Sequence, residues 1–289
     1  MTEPQTFTLD VPGAVLTYDI REPETTGSAP PLFLFGAPMA AAGFVTLASH
    51  FQDRTVITYD QRGSERSTRT DDTDVTAELQ ADDVHRVIEA AGVGPVDVFG
   101  TSGGASVALA LVERHPDDAR TVVAHEPPLY TVLPDAEILA AANRDVHQTY
   151  LSSGFGPGMA KFIALVSHEG PLPADYLDRP APDPAMFGLP TEDDGSRDDP
   201  LLGINMKNLN AYRPDIEKIK AAPTRVVMAA GEESGENQVV RTTRAIADLL
   251  GVEVTTFPDG HTGFLGGEYG QTGKPDEFGA RLREVLAGG

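Results

Sequence analysis

The sequence predicts an α/β fold with a mainly parallel sheet, interrupted by one helical insertion. Short apolar segments typical of buried strands alternate with helical segments up to residue 128. Between residues 130 and 212 this alternation stops and no strand signal appears, and from Thr224 it resumes. We therefore predict a core domain of residues 1–129 and 213–289, with residues 130–212 inserted as a helical cap.

The first elements form an antiparallel pair. Residues 6–11 and 14–20 are rich in β-prone side chains and are separated by Pro12-Gly13, which predicts a hairpin. Further strands are predicted before the cap at residues 30–35, 54–59, 94–99 and 120–125, and helices at 42–51, 75–91 and 103–115.

The cap is predicted to be helical and rich in loops. Helices are indicated at residues 135–151 and 157–168, and more weakly at 200–212. The segment 170–199 between them is rich in proline and acids and is typical of a loop. The core then continues with strands at 224–230 and 252–257 and helices at 236–250 and 275–286.

Composition and charge exclude several classes of function. The chain has 289 residues, 40% of them hydrophobic, and no cysteine, which excludes disulfides, thiolate metal sites and a cysteine nucleophile. A net charge of −22 disfavours nucleic acid and anionic membrane as partners. No signal peptide or membrane span is indicated, so a cytoplasmic protein is expected, and the sequence leaves a homodimer open.

Ser102 lies in a pattern that favours nucleophilic chemistry. It stands in Gly100-Thr101-Ser102-Gly103-Gly104, between a β-prone apolar segment and a helix-prone one. Glycines two residues before and after the serine permit a sharp strand-to-helix turn that exposes the hydroxyl above the sheet. The helix start beneath it offers free N–H groups.

His261 is the candidate base for this serine. It follows the last predicted strand, from which a loop can reach the carboxyl ends of the parallel strands. It also comes last in the chain order serine, acid, histidine. The other six histidines are interpreted as surface or satisfied polar residues: His50, His85, His115, His125, His147 and His168.

Together with the residues around Ser102, three further segments carry a resemblance. These are Leu34-Phe35-Gly36-Ala37-Pro38, Asp60-Gln61-Arg62-Gly63 and Gly260-His261. With them the chain resembles the α/β-hydrolase fold family over nearly its whole length. The resemblance implies a mostly parallel central sheet with helices on both faces and an inserted helical cap.

The resemblance also implies roles for residues near Ser102. The backbone N–H groups of Ala37 and Gly103 are expected to form an oxyanion hole, and Met39 to line the substrate pocket. Several apolar cap side chains are expected to line this pocket as well. No metal or organic cofactor is expected, and the partner is a small-molecule substrate.

The acid of a triad has two candidates. Family members commonly carry Gly-x-x-Asp after the strand at 224–230, but here that segment reads Gly231-Glu232-Glu233-Ser234. Glu233 lies one residue from the expected position. Glu126 follows the strand at 120–125, where some relatives carry the acid, and a carboxylate at a buried strand end needs a partner. We therefore favour Glu126 over Glu233.

The resemblance implies a serine hydrolase that cleaves a carboxylic ester, lactone or thioester of a small to medium apolar substrate through an acyl-enzyme on Ser102. Serine at this position disfavours dehalogenase and epoxide hydrolase chemistry, which use an aspartate nucleophile. The alternatives are a cofactor-free perhydrolase, a carbon–carbon hydrolase or lyase, or a biosynthetic tailoring enzyme on the same residues. A non-catalytic binding protein is a further alternative.

Overall fold

A hairpin begins the chain in the computed structural model, which describes residues 2–24, 27 and 29–288. Strands β1 (Gln5–Val11) and β2 (Ala14–Arg21) pair antiparallel, from Gln5 opposite Ile20 to Val11 opposite Ala14. Gly13 in the turn has a φ of +76°, a conformation that favours glycine. The predicted hairpin is confirmed.

The remaining strands extend this hairpin into one sheet. They are β3 (Leu32–Phe35), β4 (Val56–Asp60), β5 (Thr68–Arg69), β6 (Val96–Thr101), β7 (Ala119–His125), β8 (Arg225–Gly231) and β9 (Thr255–Phe257). The strand order is β1-β2-β4-β3-β6-β7-β8-β9, and β5 pairs with β2. All pairs from β4 to β9 are parallel, whereas β2 pairs with its neighbours antiparallel. The predicted mainly parallel sheet is confirmed.

Helices connect the strands. They are α1 (Val45–Ser49), α2 (Ala77–Ala91), α3 (Gly103–Arg114), α4 (Ala136–Ser153), α5 (Phe155–Val166), α6 (Met206–Leu209), α7 (Ile216–Ala221), α8 (Gln238–Leu250) and α9 (Pro275–Ala287). Helices α2, α3 and α8 pack on one face of the sheet, with Phe33 and Phe35. Helices α1 and α9 pack on the other face, with Leu32 and Leu34. The alternation of buried side chains along β3 explains why this strand is apolar throughout, because both of its faces are covered.

Two short elements were not predicted, and one helix differs. The segment predicted as a helix over 42–51 is a 3₁₀ turn, Ala41–Phe44, followed by the five residues of α1. Strand β5 has two polar residues that pair only with Ala14 and Val15, so no hydrophobic pattern marks it. Helix α7 has six residues, fewer than a periodic signal needs.

Between β7 and β8 the described chain adds no strand to the sheet. Helices α4, α5 and α6 and a π-helical turn, Pro200–Asn205, enclose an apolar cluster there that includes Tyr150 and Leu202, and α7 follows them before β8. Met186 is 79% exposed, so it is not part of this packing. The division into core and cap stays a prediction. No helix in the described ranges has the length and apolar character needed to cross a bilayer.

Candidate active site

Ser102 occupies a strained turn between β6 and α3. Its φ of 54° and ψ of −129° lie where non-glycine residues cost on the order of 1–3 kcal/mol. A Cβ atom at Gly100 would lie 2.7 Å from the carbonyl oxygen of Gly104, and one at Gly104 would lie 2.7 Å from that of Phe35. The tight packing of this turn therefore requires glycine at both positions.

The ends of β6, β7 and β8 are joined by backbone hydrogen bonds. The N–H of Ser102 donates to the carbonyl of His125 at 2.9 Å, and the N–H of Glu126 donates to that of Ala229 at 3.0 Å. Glu126 also has a positive φ, 54°. Two residues with strained backbone conformations therefore lie at neighbouring strand ends.

Glu126 and His261 form a hydrogen-bonded pair. His261 Nδ1 lies 2.5 Å from Glu126 Oε2, and the N–H of Gly231 donates to Glu126 Oε1 at 2.8 Å. The Glu126 side chain is fully buried, whereas that of His261 is 38% exposed. Because an ionised carboxylate only accepts, His261 holds its proton at Nδ1 and leaves Nε2 free to act as a base.

The environment keeps Glu126 ionised. Burial by itself raises the pKa of this carboxyl, but the hydrogen bond from His261 and the electrostatic effects of His125 and His261 lower the pKa to about 2. The negative charge therefore persists at neutral pH, where it can hold the imidazole and stabilise its protonated form.

Glu233, the alternative acid, is placed differently. It is exposed, and its Oε1 accepts a hydrogen bond from Lys274 Nζ at 2.5 Å. Of the two candidate acids, Glu126 is the one bonded to His261.

Ser102 and His261 line the same cavity, which has a volume of about 410 Å³. Ala37, Gly103 and Met39 line it too, so the structure brings together there every predicted site residue except Glu126, which lies behind His261. Most of the remaining wall is apolar, including Pro128, Tyr130, Phe162, Leu201, Met206 and Leu209. Phe162, Leu201 and Met206 come from the predicted cap, as expected for some of its apolar residues.

The N–H groups of Ala37 and Gly103 are available to a ligand. Within the described ranges, neither donates a hydrogen bond to another group of the chain. The loop that carries Ala37 is held by the two residues after Tyr59. Gln61 Nε2 donates to the carbonyls of Gly36 and Met39, at 2.5 and 2.7 Å, and Asp60 Oδ1 accepts from the N–H of Ala41 at 2.9 Å.

His125 departs from its interpretation as a surface or satisfied polar residue. It is fully buried, with one nitrogen 3.1 Å from the hydroxyl of Thr101, and its Nε2 has no hydrogen-bond partner among the described residues. Burial lowers its pKa to about 4, against the opposing effect of Glu126. His125 is therefore a neutral imidazole, with its ring centre 6.1 Å from that of His261.

Two groups of side chains in the described ranges have the spacing of metal ligands. The first is His125, Glu126 and His261. Both carboxylate oxygens of Glu126 already accept hydrogen bonds there, one from the N–H of Gly231 and one from His261. This group is therefore arranged to orient an imidazole. The second is His85, His115 and Asp118, in which the two imidazoles stack at 3.9 Å with an interplanar angle of 6°. Parallel rings do not direct their nitrogen lone pairs at one ion.

Sequence reasoning did not single out several residues of the cavity wall. Tyr130 follows β7 and is 3% exposed, and Leu209 lies in the short α6. Gln238 begins α8 and is 2% exposed. A polar residue in the first turn of a helix gives no sign that it faces a cavity, so only the three-dimensional arrangement reveals these positions.

Comparison with known proteins places this arrangement in context. An uncharacterized hydrolase, YraK of Bacillus subtilis (strain 168), is 29% identical over 288 residues, covering 96% of this chain and 95% of that protein. A thermophilic esterase from Thermogutta terrifontis has a similar structure, with a TM-score of 0.66 at 18% identity over 99% of this chain and 98% of that one. A proline iminopeptidase of Mycobacterium smegmatis gives a TM-score of 0.63 at 20% identity over 98% of both chains.

A family model provides the decisive comparison. The model of the alpha/beta hydrolase fold matches residues 32–198, which span β3 to β7 and most of the segment before β8. The sheet order, the turn at Ser102 and the position of His261 after β9 agree with the resemblance that the sequence motifs carry. The chain belongs to the alpha/beta hydrolase fold family, and hydrolase activity is the class of function that this membership supports.

Proposed function

We propose that the protein is a serine hydrolase that cleaves a carboxylic ester, lactone or thioester of a small to medium apolar substrate through an acyl-enzyme on Ser102. The observation that carries the proposal is the hydrogen bond between buried Glu126 and His261, at the cavity that both His261 and Ser102 line. A base oriented by a buried carboxylate, at a cavity that also exposes part of a serine, is the arrangement that nucleophilic catalysis requires.

The proposed reaction has two halves. His261 Nε2 takes the proton of the Ser102 hydroxyl as Oγ attacks the carbonyl carbon, and the N–H groups of Ala37 and Gly103 donate to the resulting oxyanion. The bond to the leaving oxygen or sulfur then breaks, and His261 returns the proton to that atom. Water, deprotonated by His261, then attacks the acyl carbon. The bond from that carbon to Ser102 Oγ breaks, His261 returns the proton to Oγ, and the acid is released.

The cavity wall supports an uncharged substrate. Among the described residues that line it, none is Asp, Glu, Lys or Arg. Burying a charged group without a partner is costly, so a free ammonium or carboxylate on the substrate is disfavoured. An aminopeptidase, which must bind a charged α-amino group, fits this wall less well than an esterase does.

Ser102→Ala tests the proposal. We expect hydrolysis of short p-nitrophenyl esters to fall at least about a thousandfold, because the nucleophile is lost. Labelling by a fluorophosphonate is expected to disappear with it. Ser106→Ala is the matched control: Ser106 is buried one turn further along α3, its hydroxyl has no hydrogen-bond partner in the described chain, and its removal should leave both readouts unchanged.

Two results would contradict the proposal. One is undiminished hydrolysis by Ser102→Ala. The other is a folded unmutated protein that neither hydrolyses any ester, lactone or thioester of a panel nor reacts with the fluorophosphonate.

A further inference from the structure

The carboxylate of Glu126 can accept more hydrogen bonds than it receives from the described residues. Its Oε2 lies 2.5 Å from Nδ1 of His261, and its Oε1 accepts from the N–H of Gly231 at 2.8 Å. An ionised carboxylate offers about four acceptor sites, so these two bonds leave part of its capacity unused. Because the Glu126 side chain is fully buried, bulk water cannot supply a further donor.

The hydroxyl of Ser234 is a donor without a partner. Its Oγ is inaccessible to solvent although the residue as a whole is only half-buried, and no group in the described ranges lies within hydrogen-bonding geometry of it. Leaving such a hydroxyl unbonded is unfavourable. Unbonded buried polar groups are uncommon in folded proteins, and a role in catalysis is one explanation for them.

The turn that carries Ser234 also binds Glu126. The N–H of Ser234 donates to the carbonyl of Gly231 at 3.3 Å, and the N–H of the same glycine donates to the carboxylate. Burial raises the pKa of Glu126, whereas His261, His125 and, more weakly, the Ser234 hydroxyl lower this pKa. The hydroxyl is therefore close enough to act on the carboxylate, although the two are not aligned as a complete hydrogen bond.

The same turn is joined to the loop that carries the base. The N–H of Glu233 donates to the carbonyl of Asp259 at 2.9 Å. A Cβ atom at Gly260, the residue before His261, would lie 3.6 Å from Ser234 Oγ, which is ordinary van der Waals contact. The hydroxyl is thus close both to the carboxylate and to the loop that positions the imidazole.

We propose that Ser234 is a positioning residue, whose hydroxyl donates a hydrogen bond to the Glu126 carboxylate when the imidazole of His261 becomes charged. This inference rests on the proposed function, because the imidazole becomes charged by taking the proton of Ser102. In structures without substrate such hydrogen bonds are often long or poorly aligned, and they tighten during the reaction. Ser234 is absent from the described wall of the cavity, so it acts through the carboxylate and not on the substrate.

A double-mutant cycle of Ser234→Ala and Glu126→Gln tests the proposal, with a p-nitrophenyl ester as substrate. In the unmutated background we expect Ser234→Ala to lower kcat about five- to tenfold and to change KM less than about twofold, because a hydrogen bond to a charged group is lost. In the Glu126→Gln background it should lower kcat less than about twofold, since the charged acceptor is already gone.

A merely structural role would not produce this dependence on Glu126. To exclude partial unfolding, kcat is referred to the fraction of protein that an excess of fluorophosphonate labels to completion. Ser106→Ala is the matched control, because its hydroxyl is also inaccessible and unbonded in the described chain, and it should leave kcat unchanged in both backgrounds. If Ser234→Ala does not fold, Ser234→Cys, whose thiol is a weaker donor, enters the same cycle.

The proposal is overturned if the Ser234 variant leaves kcat unchanged, raises KM instead of lowering kcat, or lowers kcat by the same factor in both backgrounds. An equal loss in Ser106→Ala overturns it as well. Failure of this inference is separable from failure of the proposed function. In the first case hydrolysis still depends on Ser102 and Glu126, and in the second it depends on neither.

Discussion

Ser102 and Glu126 share an uncommon backbone conformation at neighbouring strand ends. Each has a φ of 54°, and each donates its N–H to the next strand in the sheet. Holding such residues costs stability, and the surrounding hydrogen bonds and packing must offset it. These positions let Glu126 bond to His261 and place Ser102 on the cavity that His261 also lines.

At this scale the choice of acid can be tested by Glu126→Gln and Glu233→Gln. We expect Glu126→Gln to lower kcat by about 10²- to 10⁴-fold, because a neutral amide no longer stabilises the protonated imidazole. Glu233→Gln should stay within about twofold, since its exposed ion pair with Lys274 is worth little. Steady-state kinetics on one p-nitrophenyl ester decide the matter. If Glu233→Gln alone abolishes turnover, the assignment of Glu126 is wrong.

At the scale of the elements, the turn after β4 holds the loop of the proposed oxyanion hole in place. Asp60 and Gln61 hold the loop that carries Ala37, and Arg62 points the opposite way, into a bidentate pair with Asp83 of α2. Both bonds of this pair are 2.7 Å, and both side chains are 1% exposed. The turn therefore joins the oxyanion loop to a buried anchor.

Arg62→Met tests how much the buried pair of Arg62 and Asp83 contributes to the stability of the fold. Removing the cation leaves the buried Asp83 carboxylate with Arg86 alone, whose Nη1 lies 3.7 Å from Oδ1. We expect the free energy of unfolding to drop by about 3–5 kcal/mol. Arg114→Met is the matched control, because Arg114 forms a bidentate pair with Asp82 of the same helix but is 41% exposed. That variant should lose no more than about 1 kcal/mol.

Urea unfolding measures both variants. The two losses should differ by several kcal/mol, and the folded Arg62→Met protein should keep its kcat within about threefold if the turn acts only through stability. Equal losses in the two variants would show that the buried pair carries no special weight.

Across the whole molecule, negative charge is abundant but is kept off the described wall of the cavity. The chain has 44 acidic residues against 22 basic ones, yet the described cavity wall contains no Asp or Glu. Glu126 and His125 lie behind that wall, fully buried. Protonation of these two groups therefore links the stability of the core to pH.

The direction of this pH dependence follows from the two pKa values. His125 has a pKa of about 4 when folded, below its ordinary 6.5, so the unfolded chain binds its proton first as the pH falls from 6.5 to 4. Glu126 has a pKa of about 2, below its ordinary 4.5, so the same holds from 4.5 to 2. Both groups therefore make the protein less stable as the pH falls.

His125→Phe should flatten the first of these windows. Phenylalanine suits a pocket made by Phe99, Phe257 and Phe278 and cannot titrate. We expect the unmutated protein to lose up to about 3 kcal/mol more than the variant between pH 6.5 and 4. Urea unfolding across this range measures it, with His168→Gln as control. Parallel stability curves for His125→Phe and the unmutated protein would contradict the expectation.

The sequence by itself determined the features that depend on neighbouring residues. The hairpin, the alternation of strands and helices and the turn at Ser102 are of this kind. The contacts that require Gly100, for example, are with Gly104 and Ala108, in the helix that directly follows the turn. Ser102, His261, Ala37, Gly103 and Met39 could be found in this way, since each lies in a recognisable local segment.

Only the tertiary structure decided the features that join distant segments. Glu126 meets the N–H of Gly231, 105 residues away, and His261, 135 residues away. From the sequence alone, both Glu126 and Glu233 could serve as the acid. The burial of Glu126 and its bond to His261 distinguish the two. Gln238 is a stronger case, because nothing in its local sequence distinguishes a solvated amide from a buried one. Its burial and its place on the cavity wall follow from the packing of α8 against the sheet and the segment before β8, which no local pattern contains.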